Sequence, residues 1–221
     1  MALALVTGTG SAQGIATAIV LRLQSDGWDV VTSDRVSGDF PCDLADANAA
    51  RELVDRVVAD RGPLDALVLS QAHDVESSIT NTSAESFDQH IAVNARASML
   101  LISAFARQVR PTGGAVVALT SDHTTGNLPY GASKGALDRI VIAAAREFGP
   151  QRVSANVVNP GPVDTGWMDD AVRAALLARQ PLGRLGTPAD IAAIVAFLVS
   201  HDGRWITGQL LHADGGFSAA Y

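Results

Sequence analysis

Short, almost wholly apolar runs alternate along the chain with longer segments in which apolar residues recur at helical spacing. A strand that is covered on both faces is apolar throughout, so the short runs predict the buried strands of a parallel sheet. The predicted strands are Leu3–Thr7, Asp29–Ser33, Asp65–Leu69, Ala115–Leu119, Arg152–Val158 and Gln209–Ala213. The predicted helices lie near residues 14–26, 46–60, 84–110, 130–148 and 188–200.

The order of these elements predicts an α/β fold. Strands that alternate with helices indicate right-handed crossovers and a Rossmann-like, doubly wound parallel sheet flanked by helices on both faces. No linker, low-complexity tract or sequence repeat divides the 221 residues, so we expect a single domain over residues 1–221. Such a sheet binds its ligands beyond the carboxyl ends of its strands.

Composition excludes several classes of protein. Hydrophobic residues make up 48% of the chain and charged residues 18%, which excludes a disordered protein, and a net charge of −7 argues against nucleic-acid binding. The longest apolar run, Ile191–Val199, is too short to span a membrane. The N-terminus has no basic segment of a signal peptide. One cysteine, Cys42, cannot form an internal disulfide and is expected to be a small buried side chain in a cytoplasmic protein.

A glycine-rich segment, VTGTGSAQGIATAIV, follows the first predicted strand and opens the first helix. Gly8, Gly10 and Gly14 allow a tight turn and close approach to a pyrophosphate, which the helix N-terminus favours. The same glycines could form only a strand-to-helix turn, but the dinucleotide fingerprint belongs at this connection. Asp34 ends the second strand, where a carboxylate accepts both hydroxyls of an adenosine ribose and repels a 2′-phosphate. The alternative is a solvated turn residue or a helix cap.

Tyr130 and Lys134 stand four residues apart at the start of a predicted helix, within TSDHTTGNLPYGASKGALDRI. That spacing places both side chains on one helix face, although a surface lysine beside a tyrosine also occurs by chance. A neighbouring ammonium favours the phenolate and lowers the pKa of a tyrosine, which is ordinarily near ~10. The pair therefore suits general acid/base catalysis.

Together these segments resemble the short-chain dehydrogenase/reductase family, classical type, across nearly the whole chain. TGTGSAQGIA resembles its cofactor loop, and Asp43-Leu44 resembles its pair beside the adenine. Asn94 in VNA, and Ser121 before YGASK, stand at the family's catalytic positions. NPGPVDT resembles its nicotinamide-side loop, and ITGQLLHADGG resembles its C-terminal strand and turn.

The resemblance implies a role for each of these residues. Tyr130 would be the general acid/base, Ser121 would polarise the carbonyl, Lys134 would also hold the nicotinamide ribose, and Asn94 would hold a water. The implied cofactor-binding residues are Gly8, Gly10, Gln13, Gly14, Ile15, Asp34, Arg35, Asp43, Leu44, Tyr130, Lys134, Pro160, Gly161, Val163 and Thr165. The substrate would meet Trp167 and Met168, and the segment to about residue 184 would be a mobile lid or a packed amphipathic helix. His123, in the loop before Tyr130, would line the substrate pocket or be only a polar loop residue.

The sequence departs from the family pattern at three places. The glycine loop can be aligned from Gly8 or from Gly10. LSQAH (residues 69–73) replaces the family's Asn-Asn-Ala-Gly, so the adenine-side support must differ. The spacing from Ser121 to Tyr130 is about four residues shorter than usual, which reshapes one wall of the substrate pocket. Ser133, inside YGASK, is expected to be structural.

We expect an NAD(P)-dependent oxidoreductase that interconverts a secondary alcohol and a ketone. Asp34 favours NAD, whereas Arg35 keeps NADP possible. The alternatives are a 3-oxoacyl-thioester (acyl carrier protein) reductase using NADPH, and a cofactor-binding regulatory protein without turnover. The histidines and carboxylates show no metal-ligand spacing, so no metal is expected. The resemblance also implies a homotetramer or a homodimer, in which the helices near 84–110 and 130–148 pair across a two-fold axis.

Overall fold

The computed structural model describes residues 1–123, 126–166 and 168–219. One sheet of six strands has the order β2-β1-β3-β4-β5-β6, and all five neighbouring pairs are parallel. The strands are β1 Leu3–Thr7, β2 Asp29–Ser33, β3 Ala66–Leu69, β4 Gly114–Leu119, β5 Val153–Asn159 and β6 Leu210–His212. The predicted α/β fold is confirmed, and the predicted strand bounds differ by no more than one residue.

Seven α-helices accompany the sheet in the described residues: α1 Ile15–Ser25, α2 Ala47–Arg61, α3 Ala84–His90, α4 Ala97–Gln108, α5 Leu128–Glu147, α6 Asp170–Leu177 and α7 Pro188–Val199. The single helix predicted near 84–110 is wrong in detail, because a π-helical turn at Ile91–Arg96 joins α3 to α4. Such turns often occur at functional sites, and this one contains Asn94. The predicted lid segment contains α6, none of whose residues is buried.

Helices cover both faces of the sheet, as the apolar strands require. Leu5 of β1 packs in a core cluster with α2, α4 and α5, whereas Val6 packs in a second cluster with α1 and α7. Successive residues of a strand point to opposite faces, so β1 contributes to both clusters. Cys42 is buried in the first cluster, as its sequence context predicted.

The strand order places a crevice at the carboxyl end of β1. From β1 the chain passes to β2 on one side and then crosses to β3 on the other, and Thr7 is paired with Leu69 where β1 and β3 end. A ligand of a doubly wound sheet binds at this switch point. A cavity of about 760 Å³ opens at the other edge, where Ala2, Asp65 and Gly113 precede their strands, and it contains none of the predicted site residues. No helix in the described part of the chain is long and apolar enough to cross a membrane.

Candidate functional site

The glycine loop is held by main-chain contacts to the strands on either side of β1. Gly8 N donates a hydrogen bond to Ser33 O at 2.8 Å. The φ angle of Gly8 is +79°, and a Cβ on it would lie 2.6 Å from Gln71 N, so only glycine fits. Gly14 is the N-cap of α1, and no side chain caps this helix. Its first N–H groups are therefore available to an anion.

The Asp34 carboxylate lies against the glycine loop. Its Oδ2 accepts a hydrogen bond from Gly10 N at 3.0 Å, and a Cβ on Gly10 would lie 2.8 Å from Asp34 Oδ1. Contact between the end of β2 and this loop is the geometry expected of a ribose acceptor beside a pyrophosphate site. The residues around Asp34 fit an adenine nucleotide. Arg35, the next residue, is exposed.

The remaining residues predicted for the adenosine half lie next to these. Cys42 N donates to Asp34 O at 2.8 Å, which brings Asp43 and Leu44 beside β2. The Asp43 side chain is exposed and accepts a hydrogen bond from Ala45 N at 2.9 Å, whereas Leu44 is buried in the core. Ile15 is partly buried against the second core cluster.

A second loop, after β5, closes the other side of the crevice. Gly161 has a φ angle of +60°, and a Cβ on it would clash with the side chain of Asp214 in the C-terminal turn. Val163 is buried and pairs with Gly186, while Pro160 and Thr165 are partly buried beside it.

Gln13 joins the two loops, because its Oε1 lies 2.6 Å from the position that a Cβ on Gly166 would take. Met168 is buried just beyond the second loop, while Trp167 lies outside the described residues.

Lys134 is buried at the carboxyl end of the sheet, with 2% of its surface exposed. Its Nζ donates hydrogen bonds to Leu119 O at 2.9 Å and to Gln71 O at 3.4 Å. Burial lowers the pKa of Lys134 to about 8, although the negative charges of Asp138 and Asp74 oppose this shift. Lys134 therefore loses its charge far more readily than an exposed lysine.

Tyr130 lies one turn before Lys134 on α5, and the Lys134 Nζ is 5.6 Å from the centroid of its ring. Burial raises the pKa of Tyr130, and the charge of Asp74 adds to the increase. The expectation that Lys134 lowers the pKa of this tyrosine is therefore corrected. The physical reason is that the ammonium is directed at two carbonyl oxygens and lies over the ring, while burial disfavours the phenolate.

Asn94 holds the main chain after β3. Its Oδ1 accepts a hydrogen bond from His73 N at 2.7 Å, and its Nδ2 donates to His73 O and to Ser133 Oγ, both at 2.9 Å. The Ser133 hydroxyl donates in turn to Tyr130 O at 2.7 Å. Ser133, expected to be structural, thus connects Asn94 to the helix that carries Tyr130.

Ser121 and His123 follow β4 in the shortened loop, of which Thr124 and Thr125 lie outside the described residues. Ser121 is partly buried, and its Oγ accepts a hydrogen bond from His123 N at 3.2 Å. The His123 side chain is exposed. This loop begins at the same edge of the sheet as the glycine loop, because parallel strands end together.

Sequence reasoning missed Gln71, which occupies the centre of the site. Gln71 is buried; its Oε1 accepts a hydrogen bond from Thr7 Oγ1 at 2.5 Å, and its Nε2 donates to Ser98 Oγ at 2.9 Å. Its main-chain oxygen accepts from Lys134. The departure at LSQAH was the available signal, but the sequence alone does not indicate which partners this glutamine contacts.

Sequence reasoning also missed a histidine pair, formed by His73 of this loop and His90 at the end of α3. His90 is fully buried; its Nε2 accepts a hydrogen bond from Val75 N at 3.0 Å, and its Nδ1 donates to Ser86 O at 2.7 Å. These two contacts fix the tautomer of His90. His73 packs edge-on at 4.5 Å between ring centroids, and burial, with His90, lowers the pKa of His73. Among the described residues, no group of His, Cys, Asp or Glu side chains is arranged to hold a metal ion.

Comparisons with known proteins identify the family of the chain. A family model described as enoyl-(acyl carrier protein) reductase matches residues 8–218. The uncharacterized oxidoreductase YjdA of Bacillus subtilis is 35% identical over 241 residues, covering 97% of this chain and 96% of YjdA. The 3-oxoacyl-[acyl-carrier-protein] reductase MabA of Mycobacterium bovis is 30% identical, covering 96% of this chain and 92% of MabA.

A solved structure has the same fold as this chain. A blue fluorescent protein from a metagenomic library, in complex with NADPH, matches with a TM-score of 0.87 at 28% identity, covering 99% of this chain and 98% of that one. The family match runs from the glycine loop to the C-terminal turn. This chain belongs to the short-chain dehydrogenase/reductase family of oxidoreductases.

Proposed function

We propose that the protein interconverts a secondary alcohol and a ketone by hydride transfer with a nicotinamide cofactor. The observation that carries the proposal is the pair of Tyr130 and Lys134 on α5, with the lysine anchored to Leu119 O and Gln71 O beside the glycine loop. When bound, the nicotinamide supplies or accepts the hydride. The chain's own residues then have to hold the substrate oxygen and move one proton.

Tyr130 moves that proton at its hydroxyl oxygen. Burial and the charge of Asp74 raise the pKa of Tyr130, so the free protein holds the phenol protonated. A protonated phenol is the form that donates to a ketone oxygen. Ser121, at the end of β4, would orient the same oxygen by a hydrogen bond.

Lys134 is suited to replace the proton that Tyr130 gives away. Burial lowers the pKa of Lys134 from the usual 10.5 to about 8, so its ammonium gives up a proton more readily than that of an exposed lysine. Asn94 positions the residues around Tyr130, because it bonds to Ser133 and to the main chain at His73. We therefore assign Asn94 a positioning role in addition to the water-holding role that the family resemblance implies.

The preferred cofactor is NAD(H), and the contact between Asp34 and Gly10 supports this choice. Asp34 Oδ2 accepts a hydrogen bond from Gly10 N, and Oδ1 would accept the ribose hydroxyls. Gly8, Gly14 and the uncapped start of α1 would hold the pyrophosphate, and Gly161 and Thr165 the nicotinamide side. Arg35 is exposed beside Asp34 and leaves NADP(H) as the weaker alternative.

A screen of secondary alcohols and ketones with NAD(H) and NADP(H) tests the proposal, with Tyr130→Phe as the inactive reference. The second candidate, reduction of 3-oxoacyl thioesters with NADPH, is favoured by the similarity to MabA. Acetoacetyl-coenzyme A with NADPH, included in the same screen, distinguishes the two. Cofactor binding without turnover of any substrate would support the regulatory alternative.

We also propose that the protein is a cytoplasmic homotetramer, or a homodimer, with α4 and α5 pairing across a two-fold axis and β6 meeting its counterpart across another. The exposed apolar side chains of Met99 on α4 and Leu210 on β6 support such contacts. The lone, buried thiol of Cys42 suits a reducing compartment. Light scattering at micromolar concentration tests the assembly, and a monomer there would contradict it.

A further inference from the structure

Asp74 lies in the loop after β3, where buried side chains fix the main chain on either side of it. Before it, Asn94 holds both main-chain groups of His73, at 2.7 and 2.9 Å. After it, His90 Nε2 accepts a hydrogen bond from Val75 N at 3.0 Å. Asn94 and His90 are fully buried. These contacts hold Asp74 in one place, although its own side chain is exposed.

Asn127 fixes the direction of the Asp74 carboxylate. Asparagine at the N-cap of a helix usually accepts a hydrogen bond from the first turn, yet Asn127 makes no capping bond to α5. Its Nδ2 instead donates to Asp74 Oδ1 at 2.5 Å. Asn127 is 6% exposed, and its Oδ1 has no hydrogen-bond partner within the described residues. Asn127 thus contacts the Asp74 carboxylate instead of capping α5, and its own side-chain oxygen stays buried without a partner among those residues.

The Asp74–Asn127 pair lies beside the catalytic tyrosine. Asn127 precedes Tyr130 by one turn at the start of α5, and Lys134 bonds to the main chain at Gln71, three residues before Asp74. Burial is the main cause of the shifted pKa values of Tyr130 and Lys134; the charge of Asp74 adds to the increase at Tyr130 and opposes the decrease at Lys134. The Asp74 carboxylate therefore lies next to the start of α5, the helix that carries Tyr130.

Within the part of the chain that the structure describes, Asn127 Oδ1 is buried without a hydrogen-bond partner, and the exposed Asp74 Oδ2 accepts no hydrogen bond. We propose that Asp74, oriented by Asn127, is a specificity-determining residue that accepts a hydrogen bond from a hydroxyl on the carbon next to the reacting one. The substrates are then α-hydroxy ketones and the corresponding vicinal diols. This inference rests on the proposed alcohol–ketone chemistry and names its substrate class.

Other substituents at that carbon fit the pair less well. A carboxylate would be repelled by Asp74, and a methyl group would give the Asp74 carboxylate no donor in the complex. An ammonium would be attracted by Asp74 but would also approach the ammonium of Lys134 in the same crevice. A neutral hydroxyl supplies the missing donor without that repulsion.

The test compares hydroxyacetone with butan-2-one, in which a methyl group replaces the hydroxyl. We expect the ratio of their kcat/KM values to fall by about tenfold or more from wild type to Asp74→Ala, the range of a hydrogen bond to a charged acceptor. Any change that the lost charge makes through Tyr130 acts on both ketones equally and cancels in the ratio. The ratio for Asp74→Asn, which preserves the shape of the side chain, should lie between those of wild type and Asp74→Ala. Glu76 is an exposed carboxylate of the same loop, and Glu76→Ala should leave the ratio unchanged.

A binding measurement makes the test independent of turnover. NAD⁺ and a ketone cannot react, so calorimetry on the protein–NAD⁺ complex gives the affinity ratio of the same two ketones for wild type and Asp74→Ala. Absence of turnover, together with an affinity ratio that favours hydroxyacetone in wild type and falls in Asp74→Ala, would contradict the proposed function and leave only the assignment of Asp74 to a ligand hydroxyl standing. An unchanged ratio in folded Asp74→Ala, or a preference of wild type for aminoacetone over hydroxyacetone, would overturn the assignment of Asp74 to a hydroxyl.

Discussion

The two walls of the crevice are built in different ways. The cofactor wall consists of main chain in close contact: Gly8 lies against the backbone at Gln71, and Gly10 lies against Asp34. The substrate wall consists of side-chain hydrogen bonds between segments that are far apart in the chain, such as Asn94 with His73 and Asn127 with Asp74.

This difference has a physical cause and a consequence. A diphosphate is bound by N–H groups that every residue has, so the chain only has to approach closely, and glycine permits that. A particular substrate has to be distinguished from its analogues, and only side chains differ in their donors and acceptors. We therefore expect the cofactor wall to tolerate no added volume, and the substrate wall to respond to changes of single polar atoms.

The largest expected effect is that of Tyr130→Phe, which removes one oxygen atom from the substrate wall. Turnover should fall by ~10²–10⁴-fold, because the proton donor is lost, while the affinity for cofactor changes little. Stopped-flow measurement of NADH oxidation gives the rate, and fluorescence titration gives the affinity. Retention of more than about a tenth of the wild-type kcat, within the range that general acid/base catalysis contributes, would remove Tyr130 from this role.

On the cofactor wall, Gly8→Ala should destabilise the fold by roughly 2–4 kcal/mol and abolish tight cofactor binding. The added Cβ meets the backbone at Gln71 in addition to the strain of a positive φ. Gly27→Ala is the matched control, because Gly27 has a φ angle of +85° with nothing within 4 Å of the added atom. Gly27→Ala should lower the free energy of unfolding only by the backbone strain, roughly 1–2 kcal/mol. Equal losses of unfolding free energy for the two variants would show that close approach at Gly8 is unimportant.

The cofactor wall and the sheet were predictable from the sequence because their determinants are local. A strand apolar on both faces, or Gly8 directly after a strand, is visible in a few consecutive residues. The substrate wall was not, since nothing near Gln71 in the sequence indicates that Ser98 and Lys134 will bond to it. The prediction of a lowered pKa for Tyr130 was wrong for the same reason. Helical spacing identifies the nearest cation, but burial depends on the whole fold.

Lys134 joins the two walls, and its titration gives a third prediction. Burial lowers its pKa to about 8 in the folded protein, against 10.5 for an unburied lysine. Between these values the unfolded chain binds the proton and the folded one does not, so stability rises with pH in this window. From pH 7 to pH 10, wild type should gain about 2 kcal/mol of unfolding free energy relative to Lys134→Met. Parallel pH dependences of the two proteins in urea denaturation would mean that Lys134 is not held in a buried, weakly charged state.

The smallest effect concerns Asp34, the carboxylate that we propose discriminates between NAD(H) and NADP(H). Wild type should prefer NADH to NADPH by about tenfold or more, since a 2′-phosphate loses hydrogen bonds to a charged acceptor worth ~1.5–3 kcal/mol and adds repulsion.

Asp34→Ser should move that preference toward NADPH, because the exposed guanidinium of Arg35 is then unopposed, although a surface ion pair contributes only ~0–1 kcal/mol. Asp60→Ser, an exposed carboxylate on α2, is the control and should leave the preference as it is. The kcat/KM values for both cofactors decide the matter. A wild type that prefers NADPH would mean that the carboxylate serves only to hold Gly10, and that side-chain discrimination is confined to the substrate wall.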